Sequence, residues 1–171
     1  MIITHLTRII IRRIGYMSRI QYEEAKETIL PGIYQHYKGN YYEMLYIARH
    51  SETLEPMVVY KALYGDGGIW ARPAYMWNET VEHEGQTAPR FRKLSLEERV
   101  SFYEGLFDEV SAAKDTTASD IQQKLKILED YYTSGQWLKD YEADEQGLLP
   151  YDLKRGVLSQ DALYELLINC S

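Results

Sequence analysis

The stretch "LYIARHSETLEPMVVYKALYGDGGIWARP", residues 45–73, decides the fold that this sequence predicts. The segments "LYIAR" and "MVVYKALY" are rich in β-branched and aromatic residues, which favour strands. The "GDGG" at residues 65–68 is a hairpin-turn signal, and Pro73 ends the short strand that follows it. The stretch therefore predicts consecutive antiparallel strands, with the polar loop "RHSE" at residues 49–52 between the first two.

The sequence on both sides of this stretch extends the strand pattern. "GIYQHYK" at residues 32–38 alternates, and "GN" at residues 39–40 predicts a tight turn into "YYEMLYIAR". Further on, "AYMWNE" predicts one helical turn, and "ETVEHEG" with "APRFRKL" predicts a last strand pair. Four to six short strands in about sixty residues favour a small antiparallel barrel or a highly curved sheet. We therefore predict an SH3-like antiparallel β-barrel over residues 31–92.

The pattern changes to helical spacing at Ser95. The "SLEE" that begins there is a capping box, and apolar residues then recur every three or four positions. The "SDIQ" at residues 119–122 predicts the cap of a second helix, and Ser159 that of a terminal helix. Between them, "DYEADEQG" at residues 140–147 predicts an acidic loop. A small three- to four-helix bundle over residues 95–170 follows, so the predicted fold class is α+β.

Residues 1–30 are predicted to be an N-terminal extension that ends in a short helix. The first part, "MIITHLTRIIIRRIGYM" at residues 1–17, is apolar but interrupted by arginines, and it is shorter than the ~20 residues that span a bilayer. It also lacks the cleavage site of a signal peptide. We therefore predict no transmembrane segment and expect a disordered or loosely docked extension. We also expect Met17 to be the natural start, so that the part of residues 1–17 that precedes it is not native.

Charge and cysteine content limit the classes of partner and the compartment. The net charge is −7, and residues 95–171 hold 16 acids against 7 bases, whereas residues 1–94 hold 10 acids against 12 bases. An acidic surface repels phosphate backbones, so nucleic-acid binding is not expected. The single cysteine, Cys170, permits neither an intrachain disulfide nor a cysteine-based zinc site. This cysteine usage agrees with a cytoplasmic protein.

Two long motifs resemble known families. "PGIYQHYKGNYYEMLYIARHSETLEPMVVYKALYGDGGIWARPAYMWNETV", residues 31–81, resembles the bacterial domain-of-unknown-function family 1653. The pattern of that family runs P-G-x-Y-x-H-[FY]-K-G-x-x-Y, A-R-H-S-E-T, V-x-Y-x-x-L-Y-G and W-x-R-P. "YYTSGQWLKDYEADEQGLLPYDLKRGVLSQDALYELL", residues 131–167, resembles family 4298. The resemblances imply the first family over residues 31–92 and the second over residues 95–170. Neither family implies a reaction.

The polar loop suggests a receptor for an anion. Arg49 ends one predicted strand and Arg72 lies on another, so hairpin topology is expected to bring the two guanidinium groups to one rim, where they would bind a carboxylate, a phosphate or a nucleotide. Tyrosine and tryptophan rings would provide a stacking surface beside them. An alternative stays open, in which the loop is structural and its polar groups satisfy one another. The predicted ligand-binding residues are Arg49, His50, Ser51, Glu52, Arg72, His36, Lys38, Tyr60, Tyr64 and Trp70.

Catalytic interpretations of the same loop are weaker. Histidine phosphatases carry R-H-G-E-T after a strand, but Ser51 replaces the glycine here and a strand follows instead of a helix. A Ser-His-Glu triad needs residues from separate segments, whereas these three are consecutive. The spacing of the acids at 140–147 departs from that of a helix-loop-helix calcium site. We therefore predict no catalytic residue, no bound metal and no cofactor.

The function predicted from these observations is that of a non-enzymatic binding or adaptor protein of the bacterial cytoplasm. Its β-module would bind a small anionic or nucleotide-like ligand, or a peptide. A second hypothesis is a hydrolase or transferase that uses His50 or His36 as general base. A third is a protein-interaction scaffold, in which the acidic helical module binds a basic protein partner.

Overall fold

A computed structural model describes residues 20–170, so the predictions for residues 1–17 lie outside the described part. The fold is α+β, as the sequence predicts: the described residues form an antiparallel five-stranded sheet, a two-stranded hairpin and six α-helices. This part of the chain divides into two compact units. A β unit comprises residues 20–61 and 69–92, and a helical unit comprises residues 62–68 and 93–170.

The β unit contains two short helices and seven strands. The sheet order is β4-β3-β2-β1-β7, and β5 pairs with β6 in the separate hairpin. Among the described residues the large sheet is therefore open, with edges at β4 and β7, and no closed barrel is present. In chain order the elements are α1 (Tyr22–Thr28), β1 (Gly32–His36), β2 (Tyr41–Arg49), β3 (Pro56–Ala62), β4 (Ile69–Pro73), α2 (Ala74–Trp77), β5 (Thr80–His83), β6 (Gln86–Pro89) and β7 (Phe91–Lys93).

The first hairpin forms where the sequence places its turn. Gln35 lies opposite Tyr41, and the loop between them closes with hydrogen bonds from His36 N to Asn40 O and from Gly39 N to His36 O. Gly39 has φ of +95°, a conformation that side chains with a Cβ rarely adopt. A two-residue turn at "GN" would place Lys38 opposite Tyr41, whereas the observed loop at residues 37–39 places Gln35 there. The sequence therefore locates the hairpin but not its register, which decides which side chains face the core.

One face of the sheet covers an aromatic core. In antiparallel pairs, residues directly opposite each other share a face, so Tyr34 and Tyr42 point to the same side. The indole of Trp77 stacks on Phe91 with 3.9 Å between ring centroids. Helix α1 contributes Ala25 to this core through its single buried position. The buried members of the cluster are Ala25, Ile29, Tyr34, Met44, Val58, Tyr60, Ala74, Trp77 and Phe91.

The two edges of the sheet differ in their side chains. Strand β7 has only three residues and exposes two cations, Arg92 and Lys93. Strand β4 begins with three exposed residues without charge, and the side chains of Ile69 and Trp70 are 66% and 59% exposed. Charged residues and short length are the usual protections of an edge strand, and β4 lacks a charge until Arg72.

The helical unit consists of α3 (Leu96–Ala112), α4 (Ser119–Thr133), α5 (Gln136–Glu145), a 3₁₀ turn (Gly156–Leu158) and α6 (Gln160–Asn169). Ser95 caps α3 as predicted: its Oγ accepts from Glu98 N, and the Glu98 carboxylate accepts from Ser95 N. Ser159 likewise accepts from Ala162 N at the start of α6. Within residues 20–170, no helix is long and apolar enough to cross a bilayer.

Two local predictions for this unit are wrong. Ser119 is the first helical residue of α4 rather than its cap, and the N-cap is Ala118, which has no side-chain acceptor. The acidic segment 140–147 is not a loop, because α5 extends to Glu145. Two of its acids, Asp140 and Asp144, form ion pairs with arginines that are distant in the sequence, so the local sequence does not reveal these contacts.

Asp140 is the buried centre of these contacts. Its side chain is fully buried and accepts two hydrogen bonds from the Arg99 guanidinium, at 3.0 and 2.6 Å. Tyr131 Oη and Gln136 Nε2 donate to the same carboxylate. Burial lowers the pKa of the Arg99 guanidinium, but the hydrogen bonds to Asp140 and the negative charge of its carboxylate together outweigh burial and raise it. The network joins α3, α4 and α5.

Candidate anion-binding site

The loop between β2 and β3 is held together by its own backbone. His50 N donates to Glu55 O, and Leu54 N donates to His50 O, both at 2.9 Å. The His50 Nδ1 atom faces the backbone N–H groups of Glu52 and Thr53, at 3.4 and 3.3 Å. The side chains of Ser51 and Glu52 are exposed. These contacts favour the structural alternative for His50, which closes the turn.

Arg49 is directed to α1. Its guanidinium lies 4.1 Å from the ring centroid of Tyr22, and its Nη2 lies 3.5 Å from Glu23 Oε1. Stacking on a ring and pairing with a carboxylate are two of the interactions that arginine favours. We predicted that the guanidinium groups of Arg49 and Arg72 lie together at one rim. Instead, Arg49 contacts Tyr22 and Glu23, whereas Arg72 contacts Phe91.

Arg72 crosses from the edge strand towards the core. It lies opposite Val58 in the β3–β4 register, so its side chain starts on the core face, and its guanidinium lies over the Phe91 ring at 5.8 Å. Its Nε atom is buried and has no hydrogen-bond partner in the described structure. An unpaired buried donor on a charged group is costly, so this atom marks a position where an acceptor would be favourable.

His36 lies beside the same ring. Its imidazole is 4.8 Å from Phe91 and 4.3 Å from Tyr37, between centroids, and its Nδ1 faces the backbone N–H of Lys38 at 3.4 Å. Burial first, and then the charges of three nearby cations, lowers the pKa of His36 to about 4. The cations, in decreasing order of effect, are Arg90, Arg72 and Lys38.

The three cations around His36 are not equally available. Arg90 forms two hydrogen bonds with Glu79 Oε2, at 3.0 and 3.3 Å, which neutralise its charge. Lys38 is exposed, with its ammonium 5.7 Å from the centroid of Tyr37. Of the three cations, Arg72 is therefore the one that is partly buried and has no ion-pair partner among the described residues.

The predicted aromatic residues have different positions. Tyr60 is part of the buried core, 5.8 Å from Phe91 between centroids. Trp70 lies opposite Tyr60 in the register and so shares the face of Arg72, but it is mostly exposed. Tyr64 is exposed in the turn between β3 and β4. Of the ten predicted residues, Arg72, His36, Lys38 and Tyr60 therefore share neighbours, with Trp70 at the edge.

The sequence hypothesis missed Phe91 and Arg90. Arg90 directly precedes β7 and Phe91 is its first residue. Strand β7 lies beside β1 in the sheet, although the two strands are far apart in the chain. The segment "APRFRKL" is recognisable as a strand in which Phe91 alternates with Arg90 and Arg92. Its pairing with β1 is not local, and no sequence pattern specifies it.

The acidic segment does not form a comparable site. Asp140 binds Arg99, and Asp144 forms an ion pair with Arg155. Within residues 20–170, no group of three or more His, Cys, Asp or Glu side chains is arranged to hold a metal ion.

Comparisons with known proteins confirm both predicted resemblances, in the predicted order. Residues 32–93 match the model of a family described as "Protein of unknown function (DUF1653)", and residues 95–171 match that of a "Domain of unknown function (DUF4298)". A solved structure described as the crystal structure of a DUF1653 protein from Bordetella bronchiseptica is 41% identical in sequence. That match covers 40% of this chain and 91% of the other, with a TM-score of 0.38. No curated protein matches the chain.

Proposed function

We propose that the β unit is a non-enzymatic binding module for a small anionic or nucleotide-like ligand, or for a peptide, and that Arg72 anchors the ligand. The observation that carries the proposal is the buried Nε of Arg72, which has no acceptor in the described structure. A hydrogen bond that involves a charged group contributes about 1.5–3 kcal/mol, and a buried donor left unpaired forfeits it. A ligand oxygen at this atom recovers that energy.

The surroundings of Arg72 suit an anion with an apolar body. Lys38 adds a positive charge nearby, Arg90 is paired with Glu79, and the charged groups that shift the pKa of His36 are all cations. Exposed Trp70 on the same face offers a ring surface on which a base or an aromatic side chain stacks. The hypothesis from the sequence located the binding site mainly at the loop of residues 49–52. The present proposal locates it at Arg72 and His36.

The proposal includes an architecture and a setting. We propose that the sheet is an opened relative of an SH3-like barrel, with its core face as the ligand side, and that the helical unit is a small bundle. We also propose that the protein acts in the bacterial cytoplasm, which agrees with its single cysteine, Cys170.

Thermal-shift measurements with carboxylic acids, inorganic phosphate and nucleotides test the proposal. We expect at least one class to raise the melting temperature of the wild-type chain and to have no effect on Arg72→Ala. The matched control is Arg49→Ala, because Arg49 is also an arginine of the β unit but contacts Tyr22 and Glu23 instead. Flat melting temperatures with every compound, or shifts that Arg72→Ala retains, would refute the proposal.

The hypothesis of a general base receives less support. A base with a pKa of about 4 accepts protons weakly near neutral pH, and His36 has that value because burial and neighbouring cations disfavour its charged form. The Nδ1 atom of His50 faces backbone N–H groups of its own turn. A screen of hydrolase substrates that found turnover lost in His36→Gln would revive this hypothesis.

A scaffold role for the helical unit is a second candidate. Leu148 and Tyr151, in the segment after α5, are 64% and 97% exposed, beside an excess of acids in the same unit. Apolar side chains among acids fit a basic amphipathic partner. This proposal predicts a complex that salt weakens and that Tyr151→Glu abolishes, measured by affinity capture at low and high ionic strength.

A further inference from the structure

The donors beside Phe91 define the chemistry of the ligand more narrowly. Arg72 contributes its buried Nε–H. The Nδ1 atom of His36 faces the Lys38 backbone N–H, so the neutral ring carries its proton on Nε2, which makes the second nitrogen a donor as well. Two converging donors, one of them charged, favour a ligand group with acceptor oxygens and a negative charge, such as a deprotonated acid.

The charge balance distinguishes between oxyanions. Arg90 is neutralised by Glu79, and the exposed Lys38 is screened by solvent, which leaves one partly buried positive charge on Arg72. A carboxylate, with one negative charge, matches that charge. A phosphate monoester carries nearly two, and the second would require a proton on His36. Burial and the neighbouring cations oppose that protonation, since they lower the pKa of His36 to about 4.

We infer that the group recognised at Arg72 is a single carboxylate rather than a phosphate, with His36 Nε2 as the second donor. This inference rests on the proposed anion-binding function of the β unit. Two sources supply such a group: a small organic acid, or the C-terminal carboxylate of a peptide. The uncharged, exposed start of β4, Ile69 to Ala71, provides an edge along which a peptide would extend.

The experiment compares probes that share a ring and differ in their charged group. Benzoate, phenyl phosphate and benzyl alcohol are titrated into the ¹⁵N-labelled full chain at pH 7.5. The readouts are the Nε–H signal of Arg72 and the indole signal of Trp77, whose buried Nε1–H also lacks a partner in the described structure. The indole of Trp137, which donates to Val157 O at 2.9 Å, is the internal reference.

Benzoate is expected to shift the Arg72 Nε–H signal and to bind at least tenfold more tightly than phenyl phosphate, with benzyl alcohol inactive. Arg72→Lys keeps the charge but removes the Nε donor, so we expect it to weaken benzoate at least tenfold. Arg49→Lys is the matched control and is expected to change the affinity less than twofold. The wild-type signals report binding without any variant, so an unstable variant does not block the test.

Each other outcome has a defined meaning. If phenyl phosphate binds as tightly as benzoate or more tightly, and does so through Arg72, the carboxylate inference fails while the proposed function survives. If no probe shifts Arg72, both fail. An acetylated tripeptide and its C-terminal amide identify the source. Tighter binding of the free acid than of benzoate indicates a peptide terminus, and weaker binding indicates a small acid. An amide that binds measurably at Arg72 and as tightly as its free acid overturns the inference.

Discussion

The depressed pKa of His36 makes a prediction about stability and pH. The ring titrates at about 4 in the folded protein, whereas the same side chain has a pKa of 6.5 when unperturbed. Lowering the pH from 6.5 towards 4 therefore protonates His36 in the unfolded chain but not in the folded one. The stabilising contribution is present above pH 6.5 and is lost as the pH falls towards the folded value. Replacing the ring by Gln removes this dependence.

The size of the effect follows from the two pKa values. Between pH 7 and pH 4.5, a shift from 6.5 to about 4 corresponds to about 2.4 kcal/mol of unfolding free energy. Because the His36 ring is not fully buried, solvent screens part of this electrostatic contribution to the unfolding free energy. We therefore reduce the expected contribution to about 1.5 kcal/mol. We expect wild type to lose about that much more stability than His36→Gln over this interval.

Two measurements check this prediction. Urea denaturation at pH 7 and pH 4.5, for wild type and His36→Gln, gives the difference between the two pH dependences, in which the other titrating groups cancel. An NMR titration of the His36 Cε1–H signal gives the pKa directly, and Arg72→Gln should raise it by removing one of the cations. A folded-state pKa above about 5.5, or parallel pH dependences in the two proteins, would contradict the argument.

Three further predictions concern the helical unit, each measured by urea denaturation. Asp140→Asn should lower the unfolding free energy by about 3–5 kcal/mol, because it leaves a half-buried arginine unpaired, and a loss below about 1 kcal/mol would refute the role of the network. A Cβ at Gly156 would lie 3.2 Å from Glu104 Oε1, so Gly156→Ala should destabilise, whereas Gly105→Ala, with nothing within 4 Å, should stabilise by about 0.5–1 kcal/mol. The same sign for both substitutions contradicts the packing argument. Ser95→Ala should cost about 1 kcal/mol through loss of the capping box, and an unchanged midpoint argues against it.

The features that sequence predicted correctly are local ones. The capping box at Ser95 and the position of the turn near Gly39 depend on residues within four positions of each other, so their patterns are sufficient. The register of that hairpin is not the one a two-residue turn would give, because Gln35 lies opposite Tyr41. The cap assigned to Ser119 failed although its residue type was suitable, because the backbone enters α4 one residue earlier. The acidic loop failed because Asp140 is neutralised by Arg99, forty-one positions away. No local pattern contains that ion pair.

In the candidate site, too, the sequence pointed to individual residues but not to their long-range neighbours. Arg72 and His36 were among the ligand-binding residues predicted from the sequence, Arg72 because it lies on the short strand before Pro73. The partner expected for Arg72 was Arg49, the arginine at the end of β2. In the structure, Arg49 contacts Tyr22 and Glu23, and Arg72 lies over the ring of Phe91. Long-range strand pairing, which decides this choice, depends on how the whole sheet is assembled.

The unprotected edge at β4 has a practical consequence for handling the protein. Within residues 20–170 no further strand pairs with the outer side of β4. Its backbone groups there and the apolar side chains of Ile69 and Trp70 form a template on which a strand from another molecule can pair, so concentrated samples should tend to self-associate. Ile69→Lys would place a charge on the face away from Arg72, since neighbours along a strand point to opposite sides. Such a variant should stay dispersed at concentrations used for crystallisation and leaves Arg72 unchanged.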